Sequence, residues 1–200
     1  MNKLVSIVGP SGVGKTTLMR ALDNAGDFAV AYEQHEERPF QSLFASNPRF
    51  ALANQLDYLL FRAEQEKILR ASPHTALTDG GLDLDFHGFT RLFHAHGFLS
   101  DSEFDLCRRF YAWTRELLPP PDLVIALSAP EEIIRQRLAS RNRVNIASAE
   151  DSEIFNFFVE QWLVTLPASH LLRLNVSHEE IEYSQSVKTI LKQIQKIFTV

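Results

Sequence analysis

The chain has 200 residues, 45% of them hydrophobic and 22% charged, with a formal net charge of −5. That length supports one domain with a real core, and an acidic balance without a long basic block argues against a general nucleic-acid surface. The single cysteine, Cys107, excludes an internal disulfide and reads as a small apolar side chain on a helix, while no apolar run is long enough to span a membrane.

Met1-Asn2-Lys3 leads straight into the apolar run 4–8, which reads as a buried strand. Such a start does not resemble a signal peptide, and the expected compartment is cytoplasmic. A helix is predicted over 16–24 and a second strand over 28–32. Leu52, Leu56, Leu59, Leu60, Ala63 and Ile68 carry helical spacing through 48–71. Residues 76–79 form a short strand that ends on Asp79 and is stopped by Gly80-Gly81. Helices follow over 82–96 and 101–118, the second capped by Ser100 or Asp101. Pro119-Pro120-Pro121 breaks the chain before a strand at 123–127. Pro130 suits the first turn of a helix over 130–141. Residues 141–149 lack periodicity and read as a loop; a helix over 151–166, a strand over 171–176 and a helix over 187–198 complete the chain.

Five strands alternating with helices imply an α/β fold, with a mostly parallel sheet covered on both faces. Ligands of such sheets bind at the carboxyl ends of the strands. Gly9, Glu33, Asp79 and the segment after Leu127 fall at that edge.

Gly9-Pro10-Ser11-Gly12-Val13-Gly14-Lys15-Thr16 is a complete phosphate-binding loop between a strand and a helix, with Thr17 following. Its glycines permit a tight turn whose backbone N–H groups converge on phosphate oxygens, aided by the positive end of the helix. Lys15 is expected at the β- and γ-phosphates of a nucleoside triphosphate and the Thr16 hydroxyl on magnesium, with Asp79 as a second magnesium group. The loop alone does not choose between the P-loop kinases, GTPases and motor ATPases. The guanine-reading Asn-Lys-x-Asp of hydrolytic switches is absent. Cys107 aside, the other titratable candidates are His87, His94 and His96, whose spacing reads as surface histidines on a helix.

Beyond that loop, Tyr32-Glu33, Asn47-Pro48 with Gln55, Thr78-Asp79 with Asp85, and Arg137-x-x-x-Arg141-Asn142-Arg143 occur in the order and spacing of the deoxynucleoside kinases. The resemblance extends from the phosphate loop to about Trp162. It implies ATP as donor, a deoxynucleoside 5'-hydroxyl as acceptor, and no nucleic-acid or membrane partner. It further implies the P-loop kinase fold, with one kinase domain over 1–200 and a lid at about 141–150, and pairing into homodimers through helices. Glu33 resembles the family's catalytic base, with Glu36 and Glu37 as nearby competitors. Gln55, Arg62 and Asp85 resemble its base-reading trio: the amide pairs with a base edge, and the carboxylate, held by arginine, accepts from an exocyclic amine. Gln55 and Arg62 are seven apart and share a helix face. Arg137, Arg141 and Arg143 resemble its lid arginines, suited to charge spread over a transferring phosphoryl group.

Three positions depart from that pattern. Asp79-Gly80-Gly81 stands where the family has Glu-Arg-Ser, removing an arginine near the 5'-oxygen. Val144-Asn145-Ile146 offers only an amide where a glutamate grips the 3'-hydroxyl. Phe44 stands where a tyrosine is expected. These losses all surround the sugar, which leaves two further readings open: a nucleoside monophosphate kinase, and a regulator that binds nucleotide without transferring phosphate.

Overall fold

The computed structural model describes residues 2–32, 38–139, 149–180 and 182–198. Five parallel strands, β1 (Leu4–Val8), β2 (Phe28–Ala31), β3 (Thr75–Asp79), β4 (Leu123–Ser128) and β5 (Leu171–Asn175), form one sheet in the order β2-β3-β1-β4-β5. The parallel five-stranded sheet expected from the sequence is thus present. The central strand β1 is buried along its whole length, as a strand covered on both faces must be. Its one hydroxyl, Ser6, is satisfied by donating to the Gly80 carbonyl at 2.6 Å.

The two-residue period of a strand sorts these side chains between two helical layers. Val5, Ile7, Leu123, Ile125 and Leu127 face α1 (Lys15–Ala25) and α9 (Ser184–Phe198), meeting Leu18, Met19, Leu22, Val187, Ile190 and Ile194. On the opposite face Val8, Val124 and Ala126 meet Val159, Trp162 and Leu163 of α8 (Ala149–Leu163), and Leu4 and Ala76 meet Leu69 of α3 (Ala51–Ala71). A third cluster joins α3 to α6 (Asp101–Leu117) and includes Cys107 at full burial. Burial pushes that thiol up to about 11, as befits an apolar core side chain rather than a nucleophile.

Two local expectations are revised. A helix that the sequence reading omits, α2 (Pro39–Ser46), precedes α3; its eight residues give Phe40, Leu43 and Phe44 too few turns to establish a period. The helix expected at 82–96 is three pieces: α4 (Gly81–Leu84), a widened turn over Asp85–Thr90, and α5 (Arg91–Ala95). Thr90 Oγ1 donates to the Asp85 carbonyl across that turn at 3.1 Å. Gly88 lies where a Cβ would sit 2.3 Å from the Phe155 ring, so only glycine lets α8 approach this closely. α7 (Glu131–Ala139) matches the expected helix as far as it is described, and Ser100 caps α6 with Glu103 completing the reciprocal box.

Beneath the widened turn lies a buried charge network. Arg115 of α6 grips Asp83 through two bonds of 3.1 and 2.7 Å and Glu66 through two of 2.9 and 3.1 Å. Arg70 shares Glu66 at 2.8 Å and donates to the carbonyls of Asn2, Pro119 and Pro120. Two arginines and two carboxylates balance, which is the condition for burying them. Burial opposes the charge on Arg115, but Asp83 and Glu66 outweigh it and hold the guanidinium above its ordinary range.

His87 sits on the edge of this network and is not the surface histidine expected. Its ring stacks on Trp162 at 5.2 Å, and Nε2 lies 3.2 Å from Tyr111 Oη. Tyr111 gives its one proton to Asp83 at 2.6 Å, which assigns the hydrogen of the imidazole to Nε2. Burial pushes His87 down to about 4, with Arg91 and Arg115 reinforcing and Asp83 opposing. His94 and His96 do lie near the surface, beside Asp101 and Asp151.

A base whose folded pKa is depressed binds its proton in the unfolded chain first. Stability from His87 is therefore full above about pH 6.5 and falls as pH drops toward 4, by on the order of 3 kcal/mol. Urea unfolding at pH 7.5 and pH 5 should show about 2 kcal/mol of this loss, the remainder coming as pH falls through 4. His87→Gln, which keeps an N–H near Nε2 but cannot titrate, should lose markedly less.

Candidate functional site

The phosphate loop leaves β1 at the carboxyl edge of the sheet and enters α1 at Lys15. Asp79 ends β3 in register with Ile7, one strand away, and is 3% exposed. That register brings Thr16 Oγ1 to donate to Asp79 Oδ2 at 2.8 Å. Lys15 Nζ caps the carbonyls of Gly9 and Pro10 at 3.1 and 3.2 Å, across the mouth of its own loop. A hydroxyl backed by a carboxylate beside a phosphate cradle is a hard-oxygen pair that fits magnesium, which takes one or two protein oxygens and fills its shell with phosphate and water. Three-ligand clusters of histidine, cysteine or carboxylate are absent among the described residues.

Gly80 and Gly81 follow Asp79 with φ of +77° and +82°. Both adopt the left-handed region that side chains disfavour. The arginine that the resemblance leads one to expect at position 80 would be strained here, and a Cβ would stand 3.0 Å from Leu84.

The chain then carries Asp85 back against α3. Arg62 Nε donates to Asp85 Oδ2 at 2.8 Å, with the two side chains 10% and 8% exposed. Gln55, two turns earlier on the same helix face, is 2% exposed. The structure thus pairs two members of the expected trio directly and sets the third on the same face. Tyr58 lies between Gln55 and Arg62 on that face and was missed in the sequence. Its hydroxyl donates to Gln41 of α2 at 2.8 Å. Burial raises its pKa, with the negative field of Asp85 adding. The spacing i, i+3, i+7 from Gln55 is the signal that could have found it.

Phe44 stacks on Phe93 at 4.9 Å and meets Phe98 edge-on, within the cluster between α3 and α6. Tyr32 donates to Asp23 of α1 at 2.7 Å, and burial together with Asp23 pushes it up to about 12. Glu33, Glu36 and Glu37 lie outside the described residues, as do Arg141, Arg143 and Asn145. On the far side of the 33–37 segment, Arg38 fastens the chain to Asp57 of α3 by two bonds of 2.7 and 2.6 Å. Arg137 is described: Nη1 donates to the Val13 carbonyl at 2.6 Å and Nη2 to the Val176 carbonyl at 2.9 Å.

A family model described as "Deoxynucleoside kinase" matches residues 5–199. The chain is 22% identical over 202 residues to a deoxyadenosine/deoxycytidine kinase of Bacillus subtilis (strain 168), covering 98% of this chain and 93% of the relative. It is 24% identical over 139 residues to a deoxyguanosine kinase of the same organism, covering 70% and 67%. Among solved structures, a deoxyadenosine kinase from M. mycoides with bound dATP superposes with a TM-score of 0.75 at 17% identity, covering 96% of this chain and 98% of that one. The same enzyme with dCMP and dCDP gives 0.76 at 18%, covering 96% and 99%.

If Lys15 holds the β- and γ-phosphates, as the loop pattern leads one to expect, Lys15→Ala should lower phosphoryl transfer by about a hundredfold or more. Its bonds to the Gly9 and Pro10 carbonyls lie within its own loop, and the circular dichroism and melting temperature should stay close to wild type. A variant that turned over normally would mean that this loop does not carry the chemistry.

Proposed function

We propose that this chain, which belongs to the deoxynucleoside kinase family, moves the γ-phosphoryl group of ATP to the 5'-hydroxyl of a deoxynucleoside and prefers bases that carry an exocyclic amine. The chain is a phosphotransferase acting on nucleosides with the use of a nucleotide. The observation that carries the finer reading is the Arg62–Asp85 pair. With Arg62 holding one oxygen, Asp85 is an acceptor-only group fixed in orientation, and adenine, cytosine and guanine present amine donors where thymine does not. Similar proteins are named for deoxyadenosine, deoxycytidine and deoxyguanosine, all amine-bearing.

In this reading one kinase domain spans residues 1–200, with a lid at 141–150. The acceptor's 5'-oxygen attacks the γ-phosphorus, the bond to the β–γ bridging oxygen breaks, and the acceptor proton passes to the Glu33 carboxylate. The N–H groups of the loop from Gly9 to Thr17, Pro10 excepted, and the Lys15 ammonium hold the phosphate oxygens while charge redistributes. Arg141 and Arg143 add positive charge from the lid and help to exclude water. Thr16, with Asp79 behind it, would hold magnesium, which when bound neutralises phosphate charge. Leu106, Trp113 and Leu117 form an exposed apolar stripe along α6, which supports pairing of two copies through helices.

Competition among the four deoxynucleosides tests the base reading. Thymidine should be the poorest acceptor by about tenfold or more, since it would set carbonyl against carboxylate in a partly dry pocket. Thymidine as the best acceptor would sink the assignment of Asp85 and Arg62.

For the proton step, Glu33→Gln should lower kcat by about 10²–10⁴-fold with little change in acceptor KM. Glu37→Gln should leave kcat near wild type; the reverse pattern would move the base along the 33–37 segment.

A further inference from the structure

Val13 sits at the turn of the phosphate loop between two left-handed glycines, Gly12 at φ +82° and Gly14 at φ +111°, and its side chain is fully buried. Its carbonyl oxygen is held from outside the loop. Arg137 Nη1 reaches it at 2.6 Å, and the Tyr183 hydroxyl lies 3.5 Å from it. Both groups belong to elements distant in sequence. Arg137 is on α7, and its second nitrogen is anchored on the Val176 carbonyl just beyond β5. Tyr183, 3% exposed, ends the connection from β5 to α9. It takes φ +49°, the only non-glycine residue at positive φ among those described. Such a conformation in a bulky residue persists only where its surroundings hold it. Here Tyr183 N donates to the Glu180 carbonyl, and its own carbonyl accepts from Val187 in the first turn of α9.

The packing is tight enough to constrain the loop. A Cβ on Gly14 would lie 2.0 Å from Tyr183 Oη and 3.7 Å from Arg137 Nη1. The Gly14 backbone therefore rests directly on the phenol. In a trans peptide the C=O and the following N–H point in opposite directions. With the Val13 oxygen tied to Arg137, the Gly14 N–H points the opposite way, away from that guanidinium.

We infer that Arg137 and Tyr183 are positioning residues of the phosphate loop: they set the Val13–Gly14 peptide so that its N–H faces the donor's phosphates. This rests on the reading that the loop binds the donor, and it gives Arg137 a role different from touching the transferring group. A guanidinium on a carbonyl of the loop acts on every bound nucleotide alike. It strengthens the ground state and the transition state together, which appears in KM and Kd and not in kcat. A lid arginine on the moving phosphoryl does the opposite.

The test uses the full chain with ADP as the binding probe and a saturating deoxynucleoside acceptor. Arg137→Met should raise the ADP Kd and the donor KM together by about tenfold to a hundredfold, the usual loss for a charge-assisted bond. At saturation kcat should stay within a few-fold of wild type, and the acceptor KM should not move. Arg137→Lys, which restores one donor, should recover part of the affinity. Tyr183→Phe, which keeps the ring packing, should give a smaller rise of the same kind, and it decides the matter if Arg137→Met fails to fold. A fall in kcat with ADP Kd unchanged would place Arg137 on the reacting phosphoryl and overturn the inference. Unchanged affinity in all three variants would overturn it as well. Wild-type protein that does not bind ADP would overturn the donor reading itself, and this inference with it.

Discussion

The grip of Arg115 on Asp83 is the interaction on which the carboxyl edge of the sheet depends. Three carboxylates, Asp79 at the end of β3 and Asp83 and Asp85 in the helical turns that follow it, stand close in the chain, and all three are buried. Like charges so close are tolerable only if each has its own partner. Asp79 goes to Thr16 and Asp85 to Arg62, and these two partners lie on the two sides of the site. Asp83 lies between them and goes down to Arg115, whose other contacts run to α3 and to the Pro119 turn. A pair of this kind, 9% and 5% exposed, contributes little net stability. What it does is fix orientation: with Asp83 bound below, Asp79 and Asp85 are directed to different neighbours.

Much of this frame was legible in the amino-acid sequence. The phosphate loop is a local pattern whose geometry follows from its own glycines, and the five strands are apolar runs bounded by breakers. Asp79 and Thr16 could be matched because both lie at element ends that any parallel sheet brings to one edge. Arg62 and Asp85 were found through a family's order of motifs. The rest resisted for physical reasons. Arg115 and Glu66 are 49 residues apart, and nothing local marks a surface-type charge as buried. His87 sits at spacing typical of an exposed helix face; Trp162 from α8 and Tyr111 from α6, both distant in sequence, enclose it. The widened turn at Asp85–Thr90 changes which way residues point without leaving any trace in hydrophobic period.

Gly80 shows how a missing residue can be read in two ways. In sequence it is a loss, an arginine removed from beside the acceptor. In the structure the left-handed backbone of Gly80 and Gly81 carries the chain from β3 into α4 while the Gly80 carbonyl accepts from Ser6 and its N–H donates to the Ile7 carbonyl. The turn is stitched to the central strand. Between α2 and α3, Tyr58 donates to Gln41, and Arg38 ties the chain after the 33–37 segment to Asp57.

The sheet order carries a consequence for how the protein is made. Of the five strands β1 is made first, yet its two neighbours are β3, with Leu4 opposite Ala76, and β4, with Val5 opposite Leu123. Until the chain has been synthesised beyond Asp79 the central strand has nowhere to pair, and until it has passed Ser128 one of its edges stays bare. Long-range pairings of this sort are slow, because loop closure precedes the contacts that reward it. The nascent chain therefore carries the apolar central strand unpaired until β3 has been made, and with one bare edge until β4 has been made. The residues that shorten this exposure are those that let α1 cover the strand early: Leu18, Met19 and Leu22, packed on Val5 and Ile7 in the finished core.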